Sequence, residues 1–227
     1  MSSAAPCPAL ALVAPSGTGK TTVAHALVQR SERFRFSVSA TTRRPRGREV
    51  DGVDYHFLDE ATFRAWIEQG RFAEWAAVHG RLYGTPLANF EVARQEGVTL
   101  LLDIDVQGAL EIQERVPDAL VIFLLPPTGR ALLERLRGRG TETRQELAAR
   151  LRTALAELDL APRFPIQLVN QNVDETARVL EALVDRPALR SGAFDEGARV
   201  AEIAATLREE LERLEEGSRE AGSLDYT

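Results

Sequence analysis

A glycine-rich segment near the start of the chain carries the side chains best suited to phosphate chemistry. It contains Lys20, the only lysine among the 28 lysines and arginines. The backbone amides of such a loop can point at phosphate oxygens, and a compact ammonium fits between them where a planar guanidinium is too wide. The segment therefore predicts a nucleoside triphosphate site, in which Lys20 bridges the β- and γ-phosphates and the Thr21 hydroxyl reaches Mg²⁺. The predicted triphosphate-binding residues of this phosphate loop are Ala14, Pro15, Ser16, Gly17, Thr18, Gly19, Lys20 and Thr21.

The segments around the phosphate loop match the strand–loop–helix context that such a loop requires. A short apolar run, residues 9–13, precedes it, and a helical spacing of apolar residues follows from Val23 to Val28. Further apolar runs alternate with stretches of helical pattern along the chain. The runs are 98–103, 120–125 and 167–169, and the helical stretches are 106–115, 130–137 and 146–158. This alternation predicts an α/β fold of the P-loop NTPase type, a three-layer structure with a parallel sheet covered on both faces.

Carboxylates and arginines supply the other groups that phosphoryl transfer needs. Asp103 ends a buried run, where its carboxylate would emerge beside the phosphate loop and contact Mg²⁺, and Asp105 follows two residues later. Arg43 and Arg46 lie in a segment that proline keeps out of a helix, and they could clamp an acceptor phosphate. Between Arg30 and Arg48 the chain has seven arginines and one acid, a cluster that favours a small polyanion as ligand.

The stretch from about 34 to 96 interrupts the alternation and predicts an inserted α+β lobe. Two helices are expected in it, one capped by Asp59 and one capped by Thr85 with Pro86 at its first position. Farther along, glycines at 138 and 140 separate two arginine-bearing helices, the second starting with a capping box at Thr143. This pattern predicts a hinged helical lid over about 137–150, and an ordinary helix–loop–helix turn is the alternative.

Composition limits the remaining classes of function. The net charge is −6 and the pI is about 5.3, which disfavours nucleic acid as a partner, and no apolar run is long enough to span a bilayer. One cysteine, Cys7, allows no internal disulfide, and the uncharged start of the chain does not read as a signal peptide, so a reducing cytoplasm is expected. Residues 1–8 are expected to be disordered. Residues 187–227 are expected to form an appended amphipathic helix and tail, either docked on the domain or contributing to a homodimer.

Several segments together resemble the guanylate kinase family. They are 14–21, 36–46, 52–55, 72–75, 82–85, 102–108 and 135–141, in order and with the family's spacing. The resemblance covers residues 9–186 and implies a core of 9–33 and 97–186, a GMP-binding lobe of 34–96 and a lid. It also implies transfer of the ATP γ-phosphoryl to GMP, with dGMP as a further acceptor and Mg²⁺ accompanying ATP; to the phosphate-loop residues it assigns ATP as the triphosphate.

The resemblance also assigns roles to individual residues. The residues it implies for GMP binding are Ser39, Arg43, Arg46, Tyr55, Glu74, Tyr83, Thr85, Asp103 and Asp105. Those it implies for catalysis are Lys20, Arg43, Arg135, Arg139 and Arg150, and those it implies for binding Mg²⁺ are Thr21 and Asp103. A carboxylate such as Glu74 suits guanine because guanine offers paired N–H donors that adenine lacks.

The chain departs from the family pattern mainly near residue 170. It reads Val-Asn-Gln-Asn at 169–172 where the family usually has Val-Asn-Asp-Asp, so only Asn170 is carried over as an ATP contact. Two other functions remain open at this point. A peptide-binding scaffold related to guanylate kinases would have a degraded phosphate loop, which is intact here, and a ribose bisphosphokinase would not need the guanine-directed Glu74 and Asp105.

Overall fold

The computed structural model describes residues 7–78, 80–138, 143–192 and 194–224, with residues 217–224 described for the backbone alone. The strands are β1 Ala9–Val13, β2 Phe34–Phe36, β3 Ala40–Thr41, β4 His56–Phe57, β5 Phe72–Val78, β6 Arg81–Pro86, β7 Thr99–Leu102, β8 Leu120–Leu125 and β9 Gln167–Val169. The helices are α1 Lys20–Arg30, α2 Glu60–Glu68, α3 Leu87–Glu96, α4 Val106–Arg115, α5 Gly129–Leu136, α6 Arg144–Asp159, α7 Val173–Asp185 and α8 Gly197–Leu224.

The core is a five-stranded parallel sheet with the order β2-β7-β1-β8-β9. Strand β1 lies at its centre and is buried along its whole length, which explains its continuous apolar sequence. Alternate residues of β1 contribute to two apolar clusters on opposite faces. One cluster includes residues of α4, α5 and α6, and the other includes residues of α1 and α7. The predicted three-layer α/β fold is confirmed.

The inserted region forms a second sheet with the order β4-β3-β6-β5, in which β6 pairs antiparallel with β3 and β5. It begins later than the sequence suggested, because β2 pairs in parallel with β7 and so belongs to the core sheet. The cap of α3 is also displaced by one residue. Pro86 occupies the N-cap position with an extended backbone, so Thr85 remains in β6.

The start of the described chain is more closely packed than the sequence predicted, and its last helix is docked on the core. Cys7 and Pro8 were expected to be disordered, yet both are buried and their carbonyls accept hydrogen bonds from Thr99 and Leu100. At the other end, α8 packs against α5 and α6 through a buried stripe that includes Ile203 and Leu207. Residues 1–6 and 225–227 lie outside the described part of the chain. Among the residues described, no helix is long and apolar enough to cross a membrane.

Candidate active site

The phosphate loop joins β1 to α1 in the conformation that its glycines permit. Gly17 and Gly19 have φ angles of 87° and 95°, in the left-handed region where a side chain would be strained. Gly19 is the N-cap of α1, so Lys20 and Thr21 form the first turn of the helix. The loop amides and the positive end of the helix dipole therefore face the same space, as an anion-binding site requires.

A cavity of about 650 Å³ opens above this loop. It is lined by all the predicted phosphate-loop residues, by residues 103–106 after β7, and by Glu157 of α6. The ammonium of Lys20 forms an ion pair with Asp103 at 2.9 Å and donates a hydrogen bond to the carbonyl of Ile104 at 2.9 Å. These contacts hold the lysine between the loop and the carboxyl end of β7, beside which the sequence predicted that the Asp103 carboxylate would emerge.

Glu157 is a residue that the sequence reasoning missed. Its carboxylate accepts a hydrogen bond from the backbone amide of Ser16 at 3.2 Å. Burial raises the pKa of Glu157, while the Ser16 hydrogen bond and the charge of Lys20 oppose that rise. A glutamate on an amphipathic helix ordinarily faces solvent, so the sequence held no signal for this contact.

Other predicted nucleotide-binding residues support the phosphate loop from outside the cavity. Asn170 is only 4% exposed, and its amide donates to the carbonyl of Thr18 at 2.9 Å, so it supports the loop from behind the first cavity. Arg135 donates to the carbonyls of Gly17 and Thr18 at 3.3 and 3.1 Å. A direct contact of Asn170 with ATP stays a prediction.

Arg150 and Arg139 are the other two arginines predicted to act on the transferred phosphoryl group. Arg150 donates a hydrogen bond to the carbonyl of Leu136, at the end of α5, at 2.7 Å. Arg139 lies outside the described residues, as does the middle of the predicted lid. The capping box at the start of α6 is present, with Thr143 and Glu146 bonded reciprocally.

A second cavity of about 240 Å³ lies between the inserted sheet and the end of β7. The predicted GMP-binding residues that line it are Ser39, Tyr55, Glu74, Tyr83, Asp103 and Asp105. They come from separate strands and loops, and only the pairing of β5 with β6 and of β6 with β3 brings them together. Thr85 lies behind the wall of this cavity, where its hydroxyl donates to Glu74.

Glu74 is the buried charge of the second cavity. Its side chain is held on β5 with 6% of the residue exposed, and burial raises its pKa, the negative charge of Asp105 adding to the effect. The hydrogen bond from Thr85 acts in the opposite direction. Gly108 permits this packing, because a Cβ atom there would lie 3.0 Å from a Glu74 carboxylate oxygen. Asp105 accepts the Gly108 amide and caps α4.

The two arginines predicted to clamp a phosphate meet around Glu49, a second residue that was missed. Arg43 makes two hydrogen bonds of 2.8 Å to the Glu49 carboxylate, and the backbone amide of Arg46 donates to it at 2.7 Å. The Arg43 hydrogen bonds are the main cause that lowers the pKa of Glu49 to about 2. The guanidinium of Arg43 also lies over the Tyr55 ring at 5.1 Å. The position of Glu49, directly after the arginine-rich stretch, was the available signal.

The arginine cluster itself does not form one anion-binding surface. Arg30 and Arg33 form ion pairs with Glu181 and Asp185 of α7, and Arg35 pairs with Glu96 of α3. Only Arg43 to Arg48 remain in the loop beside the second cavity. The first half of the cluster is therefore compensated by the acids of α3 and α7 and lies away from the second cavity.

The two cavities adjoin, since Asp103, Ile104 and Asp105 line both of them. A donor phosphate on the loop and an acceptor in the second cavity would thus meet at the end of β7. For a metal ion, no group of three or more His, Cys, Asp or Glu side chains suited to binding one occurs in the described ranges. Thr21 and Asp103 do share the first cavity, a small donor set that suits Mg²⁺ when phosphate oxygens and water complete its shell.

Comparison with known proteins agrees with this layout. The sequence pattern of the family described as guanylate kinase matches residues 8–186. Guanylate kinase from Myxococcus xanthus is 47% identical over 176 residues, which cover 77% of this chain and 84% of that protein. The one from Oleidesulfovibrio alaskensis is 45% identical over 173 residues, covering 76% and 84%.

A solved structure extends the comparison to three dimensions. The crystal structure of guanylate kinase from Anaplasma phagocytophilum superimposes with a TM-score of 0.57 at 32% identity, and the match covers 82% of this chain and 87% of that one. The matched region includes both cavities and the phosphate loop, whereas α8 lies beyond the segment that the family pattern covers. The chain belongs to the guanylate kinase family.

Proposed function

We propose that this chain transfers the γ-phosphoryl group of ATP to GMP, giving ADP and GDP. The observation that carries the proposal is the pair of adjoining cavities, one built on a phosphate loop and one holding a buried carboxylate, which share Asp103 to Asp105. In-line transfer needs the two substrates to approach from opposite sides of the moving phosphoryl group, and this arrangement provides two such sides.

On the donor side, the loop amides and Lys20 bind the phosphates of ATP. As a GMP phosphate oxygen forms its bond to the γ-phosphorus, the bond from that phosphorus to the β–γ bridging oxygen breaks, and ADP leaves with the electron pair. Lys20 stabilises the charge that develops on the β- and γ-phosphates, and Arg135, Arg139 and Arg150 serve the transferred group. Mg²⁺ held near Thr21 and Asp103 would supply further charge neutralisation. Closure of the lobe and lid would exclude water, which could otherwise accept the phosphoryl group.

On the acceptor side, Glu74 accepts the N–H donors of guanine together with Asp105 and Ser39, while Thr85 orients the Glu74 carboxylate. Arg43, Arg46, Tyr55 and Tyr83 bind the GMP phosphate. In this structure the Arg43 guanidinium binds the Glu49 carboxylate. To bind the GMP phosphate, it must either contact both groups at once or release Glu49. Two carboxylates in a half-enclosed cavity disfavour adenine, whose ring edge presents an acceptor at the equivalent position.

An assay of acceptor specificity tests the proposal. The purified chain is supplied with ATP and Mg²⁺, and ADP formation is measured with GMP, dGMP, AMP and ribose 1,5-bisphosphate in parallel. We expect turnover with GMP and dGMP, and turnover with AMP lower by at least a hundredfold. Turnover with ribose 1,5-bisphosphate and not with GMP would contradict the proposal and identify the chain as a ribose bisphosphokinase. Binding of GMP without turnover of any acceptor would favour a non-catalytic scaffold.

The wider assignments remain predictions. A cytoplasmic location and the absence of a nucleic-acid partner are expected from composition, and a monomeric or homodimeric state is expected from the apolar stripe of the C-terminal helix. Size-exclusion chromatography with light scattering measures the last of these.

A further inference from the structure

Helix α8 lies beyond the part of the chain that matches the family, yet it packs on two helices that carry active-site residues. We infer that α8 holds α5 in place against the phosphate loop, and that Glu210 of α8 is a positioning residue for the phosphate-binding side of the site. The kinetic effects expected from this inference rest on the proposed function, because they are measured as phosphorylation of GMP. Its contacts are independent of that proposal.

The first step is that α5 packs directly on the phosphate loop. A Cβ atom on Gly17 would lie 3.4 Å from Leu132 and 3.5 Å from the Cβ of Arg135, which is ordinary van der Waals contact. Arg135 also donates to two loop carbonyls, as described above. A shift of α5 would therefore move the backbone whose amides bind phosphate.

The second step is that α8 and the start of α5 are in close contact, with no space for an added side chain at Gly129. A Cβ atom on Gly129, the first residue of α5, would come within 2.6 Å of Thr206 and 3.1 Å of the Cα of Ile203. The amide of Gly129 donates to the carboxylate of Glu202 at 3.3 Å, and Arg199 donates to the carbonyl of Pro127 at 2.6 Å. The start of α5 is thus fixed by α8 through close packing and hydrogen bonds.

The third step concerns the other end of α5. Glu210 is only 7% exposed, and its carboxylate pairs with Arg137 at 2.7 Å and with Arg213 of its own helix at 3.5 Å. Arg137 is the C-cap residue of α5, two residues after Arg135. The Glu210 carboxylate is buried, whereas the Arg137 side chain is 50% exposed. Removal of Arg137 would leave this buried charge with only the longer Arg213 contact, so the pair favours one position of the helix end. Through Arg137, Glu210 acts on the turn that carries Arg135.

Helix α8 also contacts α6, the helix of Arg150 and Glu157. Arg152 of α6 pairs with Glu215 at 2.6 Å, and Asp159 pairs with Arg208 at 3.5 Å. These two pairs are largely exposed and contribute little energy. The pair of Arg137 with the buried Glu210 is therefore the contact whose loss should matter most for the site.

The experiment uses the full chain and four variants. They are Glu210→Gln, Arg137→Gln, the double variant, and Arg137→Lys, which keeps the positive charge. Glu181→Gln serves as the matched control, because it removes an α1–α7 ion pair on the opposite face of the sheet. For each variant we would measure kcat, KM for ATP, KM for GMP, the thermal midpoint, and the affinity for a non-hydrolysable ATP analogue by calorimetry.

We expect Glu210→Gln and Arg137→Gln each to lower kcat/KM for ATP about tenfold, since a displacement near 1 Å can cost more than that. KM for GMP should stay within twofold, and the double variant should lose no more than either single one. Arg137→Lys should recover most of the loss. The control should lower only the thermal midpoint.

Unchanged ATP parameters in both Gln variants would overturn the inference, whatever happens to the thermal midpoint. An equal rise of both Michaelis constants would also overturn it. If the unmodified chain fails to phosphorylate GMP, the proposed function falls while the calorimetric comparison still decides the inference. A loss of analogue affinity confined to the Glu210 and Arg137 variants would then support it.

Discussion

The two cavities of this protein are built in different ways. The phosphate-binding wall of the first is one continuous segment, residues 14–21, whose backbone amides and single lysine are predicted to bind the phosphates, while residues 103–106 and Glu157 complete the lining. The second is assembled from side chains on β5, β6 and the loops beside them, which meet only after the inserted sheet has formed. The donor side should therefore depend on backbone geometry and one point charge, and the acceptor side on the identity of individual side chains.

The largest effect is expected at Lys20. Lys20→Arg keeps the charge but replaces a compact ammonium by a planar fork, so kcat should fall about a thousandfold as a charge-stabilising donor is misplaced. Lys20→Met, which removes the charge, is the companion variant and should be no more active. Circular dichroism should show both folded. Wild-type turnover by Lys20→Arg would refute the steric argument for lysine in the loop.

The next effect is expected at Glu74. Glu74→Gln removes the charge but keeps the shape, so KM for GMP should rise about a hundredfold, which corresponds to about 2.7 kcal/mol for a hydrogen bond to a charged group. KM for ATP should stay unchanged. The matched control in the same lobe is Glu60→Gln, an exposed glutamate paired with Arg64. Equal losses in the two variants would contradict a specific role for Glu74.

The pH dependence of Glu74 gives a smaller effect. Burial raises its pKa above the ordinary 4.5, so the folded state disfavours the ionised form. This penalty is present above the raised pKa and is relieved as the pH falls through it, which means that Glu74→Gln should raise the thermal midpoint at pH 7 but not below pH 4.5. KM for GMP in the unmodified chain should rise on acidification as Glu74 is protonated. A pH-independent KM would contradict the proposed guanine contact.

The smallest effect is expected at Glu49. Its pKa is lowered from 4.5 to about 2 by Arg43, so the pair stabilises the fold above pH 4.5, and that contribution is lost as the pH falls from 4.5 towards 2. Glu49→Gln should remove this part of the acid sensitivity, measured by thermal midpoints across that range. Its control is Glu60→Gln, which should keep the acid sensitivity of the unmodified chain. Identical acid profiles for all three proteins would contradict the assigned pair.

The same contrast explains how far the sequence predicted the structure. The loop, β1 and α1 are adjacent in the chain, so their pattern predicted their order and local geometry, whereas the ion pair of Lys20 with Asp103 was not predicted. The contacts of Glu157 and Glu49 depend on tertiary packing or on a loop conformation that no periodicity encodes. Asn170 was placed in the right region, but only the packing of β9 beside the loop reveals that it braces the loop from behind.

The boundary of the inserted lobe also shows that strand pairing could not be predicted from local sequence. The run that became β2 had the composition of a strand, and only its pairing with β7 assigns it to the core sheet. Helix α8 was predicted from its apolar stripe, and its partner surface on α5 and α6 was not readable from that stripe. Local patterns thus predicted elements well and long-range pairings poorly.

The most direct test of the division between the two sites is a crossed binding measurement. Affinities for GMP and for a non-hydrolysable ATP analogue would be measured by calorimetry on the unmodified chain, Lys20→Arg and Glu74→Gln. The account predicts that Lys20→Arg weakens only the ATP analogue and that Glu74→Gln weakens only GMP, by about a hundredfold. Loss of GMP binding in Lys20→Arg, or of analogue binding in Glu74→Gln, would contradict it.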